Sequence, residues 1–272
     1  MQRIVLSALV PPTPEARELV ENDALLLVPP DDLPALAERL RDLGGRAPHV
    51  LLLGEKRHEP LIRRQAALIC DTGSPVAWRA VHHGPAALVL VANQVAAAGV
   101  DAGIAVVIAD RLLEQTWSGA WTSSVAKLEH PDVAVGQHLR SWLPGGDGFV
   151  VTFSGPLPET RPAGRASAAE PVLARGEVYG AGLGRIPAAA LQDVLTTAGA
   201  TGTVDLPALA LDTRGRVGVD RAVELVALPV EQRMELPPAR GRCPVCDALV
   251  FSETCPFCNV RPAGVDPRGV PA

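Results

Sequence analysis

The sequence has 272 residues, with 25 basic and 30 acidic side chains and a formal net charge of -5. A chain of this length can form one large domain or two ordinary ones around a substantial hydrophobic core. The acidic balance argues against a sequence-independent nucleic-acid binder, since such proteins normally present a basic surface. The longest apolar run, residues 86–100, is interrupted by Asn93 and Gln94 and is shorter than the ~20 residues of a membrane span.

The beginning of the chain and its cysteines indicate a cytoplasmic protein. The first 20 residues lack the long apolar segment and small-residue cleavage site of a signal peptide. Four of the five cysteines lie close together near the C-terminus, and Cys70 stands alone. In a reducing compartment this usage favours a metal site over disulfides.

The first half of the chain alternates apolar, strand-like runs with helical stretches. The strand-like runs are "RIVLSALV" (3–10), "HVLLLGE" (49–55) and "VAWRAV" (76–81), and the helical stretches are "DDLPALAERLRDLGG" (31–45), "EPLIRRQAALIC" (59–70) and "PAALVLVANQVAAAG" (85–99). Continuously apolar strands that alternate with helices are typical of a mainly parallel or mixed sheet covered on both faces. We therefore predict an α/β domain over residues 1–155.

The sequence of the second half predicts a smaller unit and a C-terminal zinc ribbon. Residues 156–174 are rich in proline and alanine, which is the composition of a linker or long loop. A smaller α/β unit is predicted at 175–238, with a helix over "PAAALQDVLTTAG" (187–199) and an amphipathic piece at "DRAVELVAL" (220–228). A zinc ribbon is predicted at 239–262 and a disordered tail at 263–272.

The predicted ribbon is the segment "RCPVCDALVFSETCPFC" (242–258), whose cysteines form two Cys-x-x-Cys pairs. Each pair can direct two thiolates at one ion, and two pairs complete a tetrahedral site with no open position. The spacing therefore predicts one structural Zn²⁺ held by Cys243, Cys246, Cys255 and Cys258. Iron and a redox dithiol pair are the alternatives.

A glycine-rich segment, "YGAGLGR" (179–185), superficially matches a phosphate-binding loop. Arg185 occupies the place of the last glycine, and no acidic residue for a ribose follows at the end of a strand. We interpret it as a turn and predict no cofactor-binding loop.

The segment "VHHGP" (81–85) joins a strand-like run directly to a long apolar helix. A residue at such a turn lies at a helix N-terminus, where partial positive charge favours an anion or a thiolate. His82 and His83 occupy this position, and they are the first candidate site residues.

The order of segments around this turn resembles the first half of the thiolase superfamily, particularly the initiating ketoacyl-acyl-carrier-protein synthases. "WRAVHHGPAALVLVANQVAAAGVDAGIAVVIADR" (78–111) is similar to a strand, active-site turn, buried helix and following strand, and "GGDGFVVTFSG" (145–155) resembles the turn that ends the family's first half. The resemblance covers residues 45–155. It implies a layered fold, with the segment around "GIAVVIAD" as a strand, and association through a sheet edge.

The chain differs from that family in the residues that would carry out catalysis. His83 stands where the family has its nucleophilic cysteine, and imidazole cannot carry an acyl group as a thioester. Residues 175–238 contain no histidine to act as a partner. The resemblance therefore implies a catalytically degenerate member, more a partner than an enzyme, that pairs with itself or with an active synthase.

Two other functions stay open from the sequence. Cys70 with His82 or His83 could serve an acyltransferase or hydrolase, although a lone cysteine in an apolar run is more often a small buried hydrophobe. The ribbon could instead make the chain an adaptor for protein or nucleic acid.

Overall fold

The structure is a computed structural model, which describes most of the chain. The described residues are 4–42, 48–128, 131, 133, 136–137, 146–154, 158–165, 175–211, 216–230 and 235–262. Within them the chain forms six α-helices and twelve β-strands. The predicted tail at 263–272 and much of the predicted linker at 156–174 lie outside the described residues.

The strands and helices follow one another along the chain. The strands are β1 (Ile4–Leu9), β2 (Leu25–Val28), β3 (His49–Glu55), β4 (Val76–Val81), β5 (Trp117–Thr122), β6 (Phe149–Ser154), β7 (Glu159–Pro162), β8 (Arg175–Gly180), β9 (Ala200–Asp205), β10 (Ala222–Pro229), β11 (Gly241–Arg242) and β12 (Leu249–Val250). The helices are α1 (Pro14–Val20), α2 (Leu33–Asp42), α3 (Glu59–Asp71), α4 (Pro85–Ala98), α5 (Ala102–Gln115) and α6 (Ala188–Ala198).

The first sheet is parallel and has the strand order β2-β1-β3-β4. Its β1, β2 and β3 strands are almost entirely buried, because helices cover both faces. Side chains from α2 and α3 pack on one face, and those from α1, α4 and α5 pack on the other. The strand order reverses between β1 and β3, and in such sheets the crevice at the carboxyl ends of the strands is the usual place for a ligand.

The second sheet has six strands in the order β7-β6-β5-β10-β8-β9. All its neighbouring pairs are antiparallel except β8 with β9. One face packs on α6 through Trp117, Trp121 and the alternate residues of β10. The other face directs Glu224 and Val226 towards α4, so α4 and α5 lie between the two sheets.

The C-terminal ribbon packs against α5 and belongs to the same core. Asp101 caps α5 by accepting a hydrogen bond from Gly103 N at 3.0 Å, and the same oxygen lies 3.4 Å from Leu249 N of β12. A Cβ at Gly103 would overlap the carbonyl oxygen of Leu249, so α5 and β12 approach as closely as only glycine permits. Phe257 also contacts His49 edge-on, with the ring centroids 4.8 Å apart.

The predicted α/β fold class, with parallel and mixed sheets, is confirmed. The thiolase-like arrangement of residues 45–155 is wrong, because β3 and β4 belong to one sheet while β5 and β6 belong to the other. The expected strand around "GIAVVIAD" is the helix α5. The six-stranded sheet takes strands from both sides of the predicted linker, and the proposed domain limits stay a prediction.

Candidate functional site

A cavity of about 760 Å³ opens where β4, α5 and β6 meet. Its apolar lining consists of Ala80, Val81, Leu113, Phe153 and Pro158, and its polar lining consists of Lys56, Arg79, His82, His83, Asp110, Glu114 and Ser154. The cavity lies beside the carboxyl ends of β3 and β4, at the same edge of the sheet as the crevice between β1 and β3. Its volume lies within the usual range for small-molecule sites.

The charged groups on the cavity rim are paired with opposite charges. Arg79 forms a two-point ion pair with Asp110, with nitrogen to oxygen distances of 2.6 and 2.8 Å. Lys56 lies 2.5 Å from a carboxylate oxygen of Glu59. Glu114 pairs with Arg111 at 3.2 Å, so a ligand meets a rim with little net charge.

His83 is the buried titratable group of the cavity. Its side chain is 6% exposed, and its Nε2 lies 3.4 Å from the carbonyl oxygen of Thr116. Burial lowers the pKa of His83 to about 4, so the ring is neutral at pH 7. Because a carbonyl can only accept, the Thr116 contact favours the tautomer with the proton on Nε2, which leaves the lone pair on Nδ1. Nδ1 has no partner among the described residues, which is costly for a buried polar atom.

A buried ion pair fixes the loop that carries His83. Glu55, at the end of β3, is 1% exposed and pairs with Arg216 as well as with Arg57. Arg216 also donates to the carbonyl oxygens of His82 and His83. Its guanidinium lies 4.0 Å from the ring centroid of Phe153, on the cavity wall. Arg216 therefore contacts the end of β3, the His82–His83 loop and β6, and holds the three segments together.

Behind that loop, Glu224 of β10 caps the first turn of α4. Its Oε1 accepts a hydrogen bond from Ala86 N at 2.9 Å, and a Cβ at Gly84 would overlap its carboxyl group. Burial raises the pKa of Glu224 to about 8, although Arg216 opposes the shift. Gly84 N in turn donates to Ser118 Oγ at 3.0 Å, so the start of α4 is held by side chains from two strands of the second sheet.

The four C-terminal cysteines converge on one point. Their sulfur atoms all lie within 4.8 Å of one another, and those of Cys246 and Cys255 are 3.6 Å apart. Both pairs make the same turn, since Asp247 and Asn259 have positive φ and their N–H groups donate to the carbonyls of Cys243 and Cys255. Four zinc-bound thiolates would lie roughly 3.8 Å apart, a spacing that this cluster matches.

The sequence candidates occupy different places. His82 and His83 both line the cavity, but His82 is exposed and His83 is buried. Cys70 is exposed on α3, which packs on the opposite face of the first sheet from α4 and α5. The pairing of Cys70 with either histidine therefore has no support in the structure.

Sequence reasoning missed most of the cavity wall. Arg79 and Asp110 were part of segments interpreted as core strands, and Ser154 and Phe153 lay in an apolar run. One available signal was Glu55, a charge at the end of a continuously apolar strand. Arg216, its partner, lies 161 residues further along the chain and carried no local signal.

Comparison with known proteins shows the fold. No protein-family model and no curated protein matches the sequence. Among solved structures, a DegV family protein from Corynebacterium glutamicum is 15% identical, with a TM-score of 0.53 over 86% of this chain and 99% of that one. A fatty acid binding DegV family protein from Streptococcus agalactiae is 12% identical, with a TM-score of 0.54 over 85% and 100%. The fatty acid kinase B3 protein of Streptococcus pneumoniae, solved with linoleic acid, is 9% identical, with a TM-score of 0.50 over 84% and 100%.

These likenesses correct the expectations drawn from the sequence. The resemblance to thiolases and ketoacyl synthases is wrong, because the similar structures have the DegV fold. The predicted degenerate thiolase partner, and the acyltransferase and adaptor functions beside it, are therefore wrong as well. The described helices include none that is long and apolar enough to cross a membrane.

Proposed function

We propose that this protein binds a long-chain fatty acid, with the carboxyl group at His83 and the acyl chain along the apolar wall of the cavity. The observation that carries the proposal is a cavity of about 760 Å³ lined by His83, a buried residue whose Nδ1 has no hydrogen-bond partner among the described residues. The likeness to structures solved as fatty-acid-binding proteins supports it.

The chemistry at His83 fits a carboxyl group better than other head groups. Nδ1 is enclosed, so the ring must turn to present it to a ligand. Because Nδ1 then offers a lone pair, the ligand must bring a proton to the shared hydrogen bond. A carboxylic acid can do this, and so can a carboxylate that transfers the proton to imidazole, because the two forms hold the same number of protons. Arg216 and the neighbouring His82 both oppose a positive charge on the ring, which favours the neutral pair.

Uptake of that proton gives the binding a pH dependence. At pH 7 the free His83 is neutral and the free acid is ionised, so the complex takes up one proton. We expect the affinity for dodecanoic acid to fall as the pH rises from 6 to 8, by up to about tenfold per pH unit. Titration calorimetry on the full chain measures it.

Substitutions test where the acid binds. His83→Phe keeps a ring of similar size but removes Nδ1, and should lower the affinity about tenfold or more and flatten its pH dependence. Val81→Trp, on the face of β4 that packs towards α4 and α5, should fill the cavity and abolish binding. Ala189→Trp, on the exposed side of α6, is the matched control and should bind as the wild type does. Unchanged affinity in folded His83→Phe and Val81→Trp would refute the site.

The ribbon completes the proposal with one structural Zn²⁺ bound by Cys243, Cys246, Cys255 and Cys258. The support is the cluster of four sulfur atoms and the matching turns of the two pairs. Burial raises the pKa of the Cys246 thiol and, to about 11, that of Cys258, so a divalent cation is needed to hold them as thiolates near pH 7. When bound, the ion would stabilise the ribbon and take no part in ligand chemistry.

A protein partner also remains part of the proposal. One similar structure is a fatty acid kinase protein. His82, next to His83 at the cavity, is exposed, so a partner enzyme could approach a bound carboxyl group from that side. Self-association and a cytoplasmic location stay predictions, and light scattering measures the first.

A further inference from the structure

A second cavity, of about 310 Å³, lies between α5 and the ribbon. Val106 and Val107 line it from the helix, and Leu249, Phe251 and Pro256 line it from the ribbon. It is therefore a groove that exists because the ribbon packs on α5.

This groove adjoins the first cavity. Arg79, Asp110 and Glu114 line both. The ion pair of Arg79 with Asp110 lies in the common wall, and its charges cancel there. Arg111 also lines the groove and is paired with Glu114. A passage bordered by paired charges and by valine, leucine and phenylalanine side chains suits an uncharged, flexible chain.

The length of the passage matches that of a long acyl chain. Along α5, it extends from Leu113 and Glu114 in the first cavity to Gly103 in the groove, which is roughly 16 Å at the helical rise per residue. A long acyl chain in one leaflet of a bilayer spans about half of the ~30 Å hydrocarbon core.

We infer that the far end of a long acyl chain lies in the groove between α5 and the ribbon, so that the ribbon sets the chain length that the protein prefers. The inference rests on the proposed binding of fatty acids at His83. A short acid would occupy the first cavity alone, whereas a long acid would also bury its last methylene groups against Val107 and Phe251. Each fully buried methylene raises affinity roughly fourfold.

Filling the groove tests this directly. Val107→Trp fills it from α5, and Ser252→Trp fills it from the ribbon. Leu68→Trp, on the exposed side of α3, is the matched control. Affinities for octanoic and octadecanoic acid are measured for each folded variant. We expect both groove variants to lose about tenfold or more for the long acid and to keep the wild-type affinity for the short one.

Two results would overturn the inference. One is unchanged affinity for octadecanoic acid in both groove variants, and the other is an equal loss for both acids. If the wild-type chain binds neither acid, the proposed function itself fails, which is a different outcome from the loss of chain-length preference.

Discussion

At the scale of single residues, a carboxyl group with almost no contact with solvent lies at the first turn of α4. Glu224 is 3% exposed, and one of its oxygens has no partner among the described residues. The protonated form of the carboxyl group is favoured here, because the second oxygen of the ionised form would be buried without water or a hydrogen-bond donor. The position explains why its pKa is raised to about 8.

The raised pKa makes stability depend on pH. Folded Glu224 holds its proton up to about pH 8, whereas the unfolded group loses it near its ordinary pKa of 4.5, so the free energy of unfolding falls as the pH rises between these values. His83 has the opposite effect between about pH 4 and 6.5, because its folded pKa is lowered. Of these two groups, only Glu224 affects stability from pH 6.5 to 8.

In the wild type, we expect the free energy of unfolding to decline by up to about 1.4 kcal/mol per pH unit between pH 6.5 and 8, and Glu224→Gln should remove this decline. Urea unfolding at several pH values measures it. Glu18→Gln, an exposed change on α1, should keep the wild-type slope. If Glu224→Gln declines as steeply as the wild type, the carboxyl group is not protonated in the folded state.

The sequence predicted the position of His83 but not its role. A strand that ends at Val81 and a helix that begins at Pro85 place His83 at a helix N-terminus, as the pattern indicated. Its burial depends on Thr116, Arg216 and Phe153, which approach from segments that no local pattern connects to it.

At the scale of elements, the helix α5 lies where the resemblance implied a strand. The run "GIAVVIAD" contains β-branched residues that favour a strand. Yet Asp101 is placed to cap a helix, and the buried positions Ala102, Ala105, Ala109 and Leu112 follow a spacing of three or four residues. The resemblance to another fold outweighed that periodicity. By contrast, β3, β4, α3 and α4 lie close to the limits predicted from the sequence.

The ribbon is a second element whose energetics can be tested, because its cysteines pack in the same core as α4 and α5. Cys246→Ser should therefore abolish zinc binding and lower the Tm of the whole chain by several degrees or more. Metal content per chain and calorimetry measure the two effects. Cys70→Ser removes an exposed thiol on α3 and should change neither. Equal metal content in both variants would contradict the four-thiolate site.

At the scale of the whole molecule, the cavity belongs to no single segment of the chain. β4 and α5 supply one side and β6 supplies the other, while Glu55 and Arg216 join the two sheets across 161 residues of sequence. Local patterns predict helices and strands because they depend on neighbours along the chain. They could not predict which polar residues meet, because that depends on how the two sheets pack around α4 and α5.

The same architecture connects the ribbon to the proposed function. The ribbon packs on the α5 helix that lines the cavity, so a ribbon predicted to hold a structural zinc lies next to the passage proposed for the acyl chain. A metal ion held by all four sulfur atoms would have no open position for a ligand.

Native mass spectrometry of the purified full chain, with and without added octadecanoic acid, tests the central claim most directly. The account predicts one fatty acid per chain in the wild type, a smaller bound fraction in His83→Phe and none in Val81→Trp under the same conditions. A wild-type chain that stays free of fatty acid at saturating concentration would contradict it.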